Sequence, residues 1–285
     1  QSAAQPFDGQ NFTVYTVKDG LSDNRITAVE QDKYGYLWVA TQKGLNRFDG
    51  NTFINFYSDS SAGSLPMDDI QNLNWLTDKV LAAITRMGVF IINTLTLQGR
   101  SLIVPADSLV HEYKVNLVED VTGDEEGNIY ILTRSGFYQF NTKYELQYRF
   151  DYYTNKQVEK DYLVFGRNMA WVNKNELIVS SINGPYIFNT AEKKLHRISE
   201  KDDVFTKQAA PPGKRFFFKH GDYHSFSVQD EFSRETFYYD LKHKTAIPVT
   251  MPVAITDNFN WRTRLAKIND SLFTMNGKEE GFYLV

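Results

Sequence analysis

Apolar positions along this chain come in short bursts, not in long amphipathic stretches. The segments "YLWVA" (36–40), "VLAAI" (80–84), "IYIL" (129–132) and "ELIVS" (176–180) are apolar nearly throughout and bounded by turn signals. Runs of this length, rich in β-branched and aromatic residues, predict strands covered on both faces. Each is followed by Thr or Ser and, three residues later, by Gly: Thr41 and Gly44, Thr85 and Gly88, Thr133 and Gly136, Ser181 and Gly184. These glycines recur every 44 to 48 residues. Gly281 of "NGKEEGFYLV" lies two such periods beyond Gly184, with a degenerate copy, "FSVQDEFSRETFYYD", between them. The chain therefore reads as six copies of one unit, the fifth weak.

Within a copy the punctuation has mechanical reasons. Asp32-x-x-Gly35 and Asp124-x-x-Gly127 fit a type I turn between a first and a second strand. Thr-x-x-Gly fits a three-residue hairpin loop with a left-handed Gly, joining the second strand to the third. Third strands follow at "LNRFD" (45–49), "VFIIN" (89–93), "FYQFN" (137–141) and "PYIFN" (185–189), each closing on Asp or Asn as a further turn signal. Fourth strands are expected at "TFINFYS" (52–58), "GRSLIVP" (99–105), "ELQYRFD" (145–151), "KKLHRIS" (193–199) and "AIPVT" (246–250). A repeat of about 40–50 residues with four antiparallel strands predicts a β-propeller blade. The expected fold is all-β: a six-bladed propeller of four-stranded blades over 11–285, after a flexible segment 1–10. The last copy lacks its fourth strand, and the N-terminal strand 12–17 is expected to supply it and close the ring. Seven blades, with an extra one hidden in 200–232, is the alternative.

Composition narrows the class. Hydrophobic residues are 42% of 285, enough for a sizeable core, and aromatics are 15%, which favours pleated surfaces. A net charge of −4 argues against a nucleic-acid binder. Without cysteine there is neither a disulfide framework nor a thiolate metal site. No apolar run reaches the length that spans a membrane as a helix. The opening "QSAAQPFDG" fits a mature end left by signal-peptide removal as well as it fits a cut through a longer chain.

The stretch "ITAVEQDKYGYLWVATQKGLNRFDG" resembles the two-component regulator propeller repeat through Asp32, Gly35, Leu37, Trp38, Val39, Ala40, Thr41, Gly44, Leu45, Arg47, Phe48 and Asp49. The third copy matches through Asp124, Gly127, Ile129, Tyr130, Ile131, Thr133, Gly136, Phe137, Phe140 and Asn141, and the others depart further. The resemblance implies the periplasmic sensor part of a membrane histidine kinase of Bacteroidetes type, many of which respond to oligosaccharides. It implies downstream sensor and kinase regions in the same polypeptide, admits a homodimer, and lends no catalytic residues.

Candidate chemistry is sparse. His220-x-Asp222-x-His224 puts three metal-ligand types at alternate positions, but Gly221-Asp222 reads as a hairpin turn that splays them apart, so no metal site is expected. Adjacent carboxylates such as Asp68-Asp69 and Asp202-Asp203 point apart on a strand and make no dyad. No nucleophile elbow, P-loop or dinucleotide fingerprint occurs, so neither an enzyme nor a cofactor is expected. Binding is the better reading, with a secreted or periplasmic glycan hydrolase or lyase as the alternative. Loops between the second and third strands, and between one blade and the next, gather on one face of a propeller. The residues singled out there are Arg25, Lys43, Arg86, Arg134 and Asn183, able to hold an acidic or hydroxyl-rich ligand. Trp75 and Trp171, which align with Gln31, are read as inner-blade packing, with sugar stacking as the sharper alternative. The longer connections at 58–69, 105–114, 152–164 and 200–214 are expected on this same face.

Overall fold

The computed structural model describes residues 14–61, 63–104, 117–133, 136–151, 165–181, 186–197, 216–222, 225–230, 236–240, 245–249, 265–269, 272–276 and 282–284. These form 23 strands in chain order. Sheet 1 holds β1 (Ile26–Gln31), β2 (Leu37–Thr41), β3 (Gly44–Phe48) and β4 (Phe53–Phe56). Sheet 2 holds β5 (Ile70–Thr77), β6 (Val80–Thr85), β7 (Val89–Asn93) and β8 (Gly99–Leu102). Sheet 3 holds β9 (Val118–Gly123), β10 (Ile129–Thr133), β11 (Gly136–Phe140) and β12 (Leu146–Asp151). Sheet 4 holds β13 (Phe165–Asn173), β14 (Glu176–Ser181), β15 (Tyr186–Asn189) and β16 (Lys194–Arg197). Sheet 5 holds β17 (Phe216–Asp222), β18 (Ser225–Asp230), β19 (Thr236–Asp240) and β20 (Thr245–Val249), and sheet 6 holds β21 (Leu265–Asn269), β22 (Leu272–Asn276) and β23 (Phe282–Leu284). Every sheet is an antiparallel meander, and the first strands lie side by side in the order β1, β5, β9, β13, β17, β21.

Burial explains the apolar second strands. Trp38, Ala40 and Leu45 of sheet 1 meet Leu73, Leu81, Ala83, Phe90 and Ile92 of sheet 2. The other face of sheet 2, with Ala82, Ile84, Val89 and Ile91, meets Val121, Ile129, Ile131, Tyr138 and Phe140 of sheet 3. Tyr130, Leu132 and Phe137 then meet Leu177, Val179, Tyr186 and Phe188 of sheet 4. A strand between two such interfaces has no solvent side, so its pattern is continuous rather than alternating.

The turns repeat with the sequence. In Asp32-x-x-Gly35 the Gly35 N–H donates to the Asp32 carbonyl at 3.0 Å, and Gly35 has φ +90°. Asp124 and Gly127 repeat this at 3.1 Å with φ +85°. The Asp32 carboxylate accepts the Tyr34 and Tyr36 amides and the indole N–H of Trp38, which is fully buried. Asp124 likewise accepts the amides of Glu126 and Asn128 and the hydroxyl of Tyr130, the counterpart of Trp38. Burial, then the Asp124 carboxylate, raises the Tyr130 pKa, so the phenol stays a neutral donor. Asp49, Asn93, Asn141 and Asn189 each accept backbone amides two to four residues on, which makes the turn into the fourth strand.

Three expectations are corrected. Thr41 pairs directly with Gly44, so the loop between β2 and β3 has two residues, not three. The glycine serves close approach more than conformation. A Cβ on Gly44 would stand 2.8 Å from the Phe56 carbonyl and one on Gly88 2.6 Å from that of Leu102, and only Gly44 of the two has a positive φ. Second, β17 runs on through Gly221 and Asp222, with Asp222 opposite Ser225, so these two residues are strand and not the expected hairpin turn. His224 lies outside the described residues. Third, of the strand expected over 12–17, residues 14–16 carry no strand and Val17 opens a 3-10 turn, Val17–Asp19. A capping box between Thr16 and Asp19 and the left-handed Gly20 make the turn. Residues 12 and 13, like the segment 1–10, lie outside the described residues. Of the stretch 200–232, the described parts 216–222 and 225–230 belong to sheet 5.

Candidate functional site

The lead-in to β1 builds one corner of the loop face. Ser22 donates its amide to the Asn46 side-chain oxygen at 2.8 Å and shares a hydroxyl contact with Thr41, also 2.8 Å. Leu21 is buried beneath. Tyr15 lies against the rings of Phe48 and Phe53, and Asn55 donates to the Gly20 carbonyl, so the lead-in packs along β3 and β4. That fixes Asp23, whose side chain is only 10% exposed.

Asp23 gathers the nearby cations. Its carboxylate accepts the Arg25 amide at 2.7 Å and lies 3.5 Å from Arg25 Nε and 3.4 Å from Lys43 Nζ. The Arg25 backbone amide, followed by the two cations, holds its pKa below the ordinary 3.8. The Gln42 amide donates to the Arg25 carbonyl, so the two-residue loop of sheet 1 and its lead-in are stitched together.

Sheet 2 continues the row. Gly44 donates its amide to the Asp68 carbonyl at 3.0 Å, which joins the sheet 1 loop to the sheet 2 lead-in. The Asp68 carboxylate accepts the Ser58 amide. Next to it, Asp69 lies 3.8 Å from Arg86 Nε. The five singled-out residues thus divide. Arg25 and Lys43 converge on one carboxylate, Arg86 follows on the adjoining loop, and Arg134 and Asn183 lie outside the described residues. Of the long connections, 58–69 joins β4 to β5 on this face, apart from residue 62, and 105–114, 152–164 and 200–214 lie outside the described residues. Sequence reasoning missed Asp23 and Asp69. The aligned lead-ins "GLSDNRI" and "SLPMDDI" were the signal available, since both place acid beside the cation loops.

Beneath the rim, the first strands are tied by polar bonds between sheets. Trp75 donates its indole N–H to Glu30 across sheets 1 and 2. Asn74 donates to Asp120 and to the Val121 carbonyl across sheets 2 and 3. Asp120 also accepts the Met169 amide, and Trp171 donates to Thr122 and the Gly123 carbonyl, across sheets 3 and 4. Trp75 and Trp171 are therefore inter-sheet fasteners, which favours packing over sugar stacking. On the opposite face, Lys33 and Asp78 pair across sheets 1 and 2, which raises the Lys33 pKa and lowers that of Asp78. Among the described residues no group of three or more His, Asp or Glu is placed to hold a metal.

Residues 20–43, from the lead-in through the two-residue loop, match the family model of the two component regulator propeller. The chain carries a two-component regulator propeller repeat. Over 42 residues it is 55% identical to histidine kinase P4 of Formosa agariphila, which is 15% of this chain and 3% of that protein. Its fold is similar to that of part of the extracellular domain of BT3049 from B. thetaiotaomicron, described as belonging to a hybrid two component system. The TM-score is 0.63 at 15% identity, over 96% of this chain and 35% of that one. Streptogramin B lyase shares the fold at TM-score 0.59 and 11% identity, over 93% of this chain and 84% of its own. The chain thus spans about a third of the BT3049 domain, and its 42 matched residues only a small part of the kinase. No helix among the described residues is long and apolar enough to cross a membrane.

Proposed function

We propose that this chain is the extracytoplasmic, ligand-receiving propeller region of a two-component sensor, with kinase regions in the same polypeptide. The observation that carries the reading is the loop rim of sheets 1 and 2. Its sheet 1 half, Asp23, Arg25 and Lys43, falls within the residues that match the regulator propeller repeat, and the rim turns its cationic side chains outward over recessed acids. Histidine kinase P4 and the extracellular domain of BT3049 support the class. The ligand is glycan-derived and the role is binding, not catalysis. The lyase shares a fold, and a scaffold alone carries no activity. The six sheets, whose first strands follow one another in the order β1, β5, β9, β13, β17, β21, are the blades of one six-bladed propeller. Signalling comes from differential affinity of the ligand for two arrangements of the propeller relative to the downstream kinase regions.

The test is genetic. In the full-length protein, deleting 11–285 abolishes the response to a polysaccharide digest while the kinase still autophosphorylates. An unchanged response to the digest overturns the reading.

A further inference from the structure

The rim has a layered charge arrangement that narrows the ligand. The side chains of Arg25, Lys43 and Arg86 are 67%, 66% and 62% exposed, whereas those of Asp23 and Asp69 are 10% and 32% exposed. Both aspartates meet their arginine at Nε, the inner end of the guanidinium. Four of the five guanidinium N–H groups sit on the terminal nitrogens, beyond that contact. Each acid therefore orients its arginine and leaves the terminal fork toward solvent, the geometry that grips a carboxylate or sulfate through two parallel bonds. The Gly44–Asp68 backbone bond joins the loop that carries Lys43 to the lead-in that carries Asp69, the partner of Arg86. With Asp68 included, the six charges sum to zero. Attraction at this site is accordingly short-range, made by direct contact and not by long-range steering.

We propose that Arg25, Lys43 and Arg86 form an oxyanion subsite, selecting ligands that carry carboxylate or sulfate groups over neutral ones. This rests on the reading of the loop rim as the ligand-binding face.

Calorimetric titration of the 285-residue chain with three probes of equal length tests it: tetragalacturonate, a chondroitin sulfate tetrasaccharide and neutral cellotetraose. At least one anionic probe binds at least tenfold tighter than cellotetraose. Arg25→Gln and Arg86→Gln each weaken that probe by about tenfold or more, and Lys43→Gln by less, since an ammonium offers no fork. Desulfating the chondroitin probe, which keeps its uronate carboxylates, tells carboxylate from sulfate: unchanged affinity assigns the subsite to carboxylate and lost affinity to sulfate. These side chains are exposed, so the variants keep the wild-type circular dichroism and melting temperature. Cellotetraose bound as tightly as the anionic probes overturns the oxyanion subsite and leaves the sensor reading standing. Anionic probes bound equally by wild type and by the triple Gln variant place the site elsewhere and overturn it too, as does binding of no probe at all.

Discussion

Replacing Asp32 by Ala removes one carboxylate that three donors share. Its Oδ1 accepts the Tyr34 and Tyr36 amides at 2.9 and 3.1 Å, and its Oδ2 accepts the Trp38 indole at 3.2 Å. Trp38 is fully buried between sheets 1 and 2, so its N–H has no water to turn to. An orphaned buried donor costs about 1–3 kcal/mol. The two turn amides are only partly buried and recover part of their loss from solvent, which adds about 1 kcal/mol. The expected loss is about 2–4 kcal/mol in all, read as a shift in urea midpoint by tryptophan fluorescence at constant m. Repeating Asp32→Ala in a Trp38→Phe background isolates the indole bond, because Phe has no donor to orphan. There the substitution costs at least about 1 kcal/mol less. An Asp32→Ala protein within about 0.5 kcal/mol of wild type, or an equal cost in both backgrounds, refutes the role assigned to this carboxylate.

Three further outcomes are expected. Asp120→Ala leaves Asn74 and the Met169 amide without their shared acceptor and lowers the urea midpoint by about 1–3 kcal/mol equivalent, with amide exchange quickening at β5 and β13 together. Gly88→Ala drives a Cβ to 2.6 Å from a strand carbonyl and destabilises by about 1–3 kcal/mol, whereas alanine at Gly50, with open space but φ +97°, costs less in the same denaturation assay. The folded-state pKa values of Asp23, Asp49, Asp59 and Asp78 are all depressed, so their stabilisation is present above the ordinary carboxylate value of 3.8 and is lost as pH falls below it. Melting temperature followed from pH 6 to pH 2.5 falls steeply only at the acid end.

Much of the fold was legible because the chain states it repeatedly. Apolar strands such as 80–84 and 129–132, held between two sheets, have no solvent face and show as continuous runs. Asp-x-x-Gly and the Asp or Asn closing each third strand act through local backbone geometry, which sequence displays directly. The glycine of Thr-x-x-Gly was found for an incomplete reason, since the close carbonyl on the neighbouring strand is a tertiary fact. The N-terminal segment misled because "FTVY" has strand composition, while the capping pair Thr16 and Asp19 and Gly20 turn the chain just after it. At the site, Arg25 and Lys43 were visible as loop cations. Their meeting at Asp23 was not, because it depends on the lead-in folding back against Thr41 and Asn46. The indole bonds of Trp75 and Trp171 reach partners 45 and 49 residues back, on another sheet, beyond any local pattern.

Hydrogen–deuterium exchange of the chain, with and without saturating tetragalacturonate, tests the placement of the ligand most directly. The account predicts slower exchange at 22–26, 42–44 and 86–88, with the opposite turns at 32–36 and 124–128 unchanged. Slowing confined to 32–36 and 124–128 instead, with the rim loops exchanging as in the free protein, contradicts it.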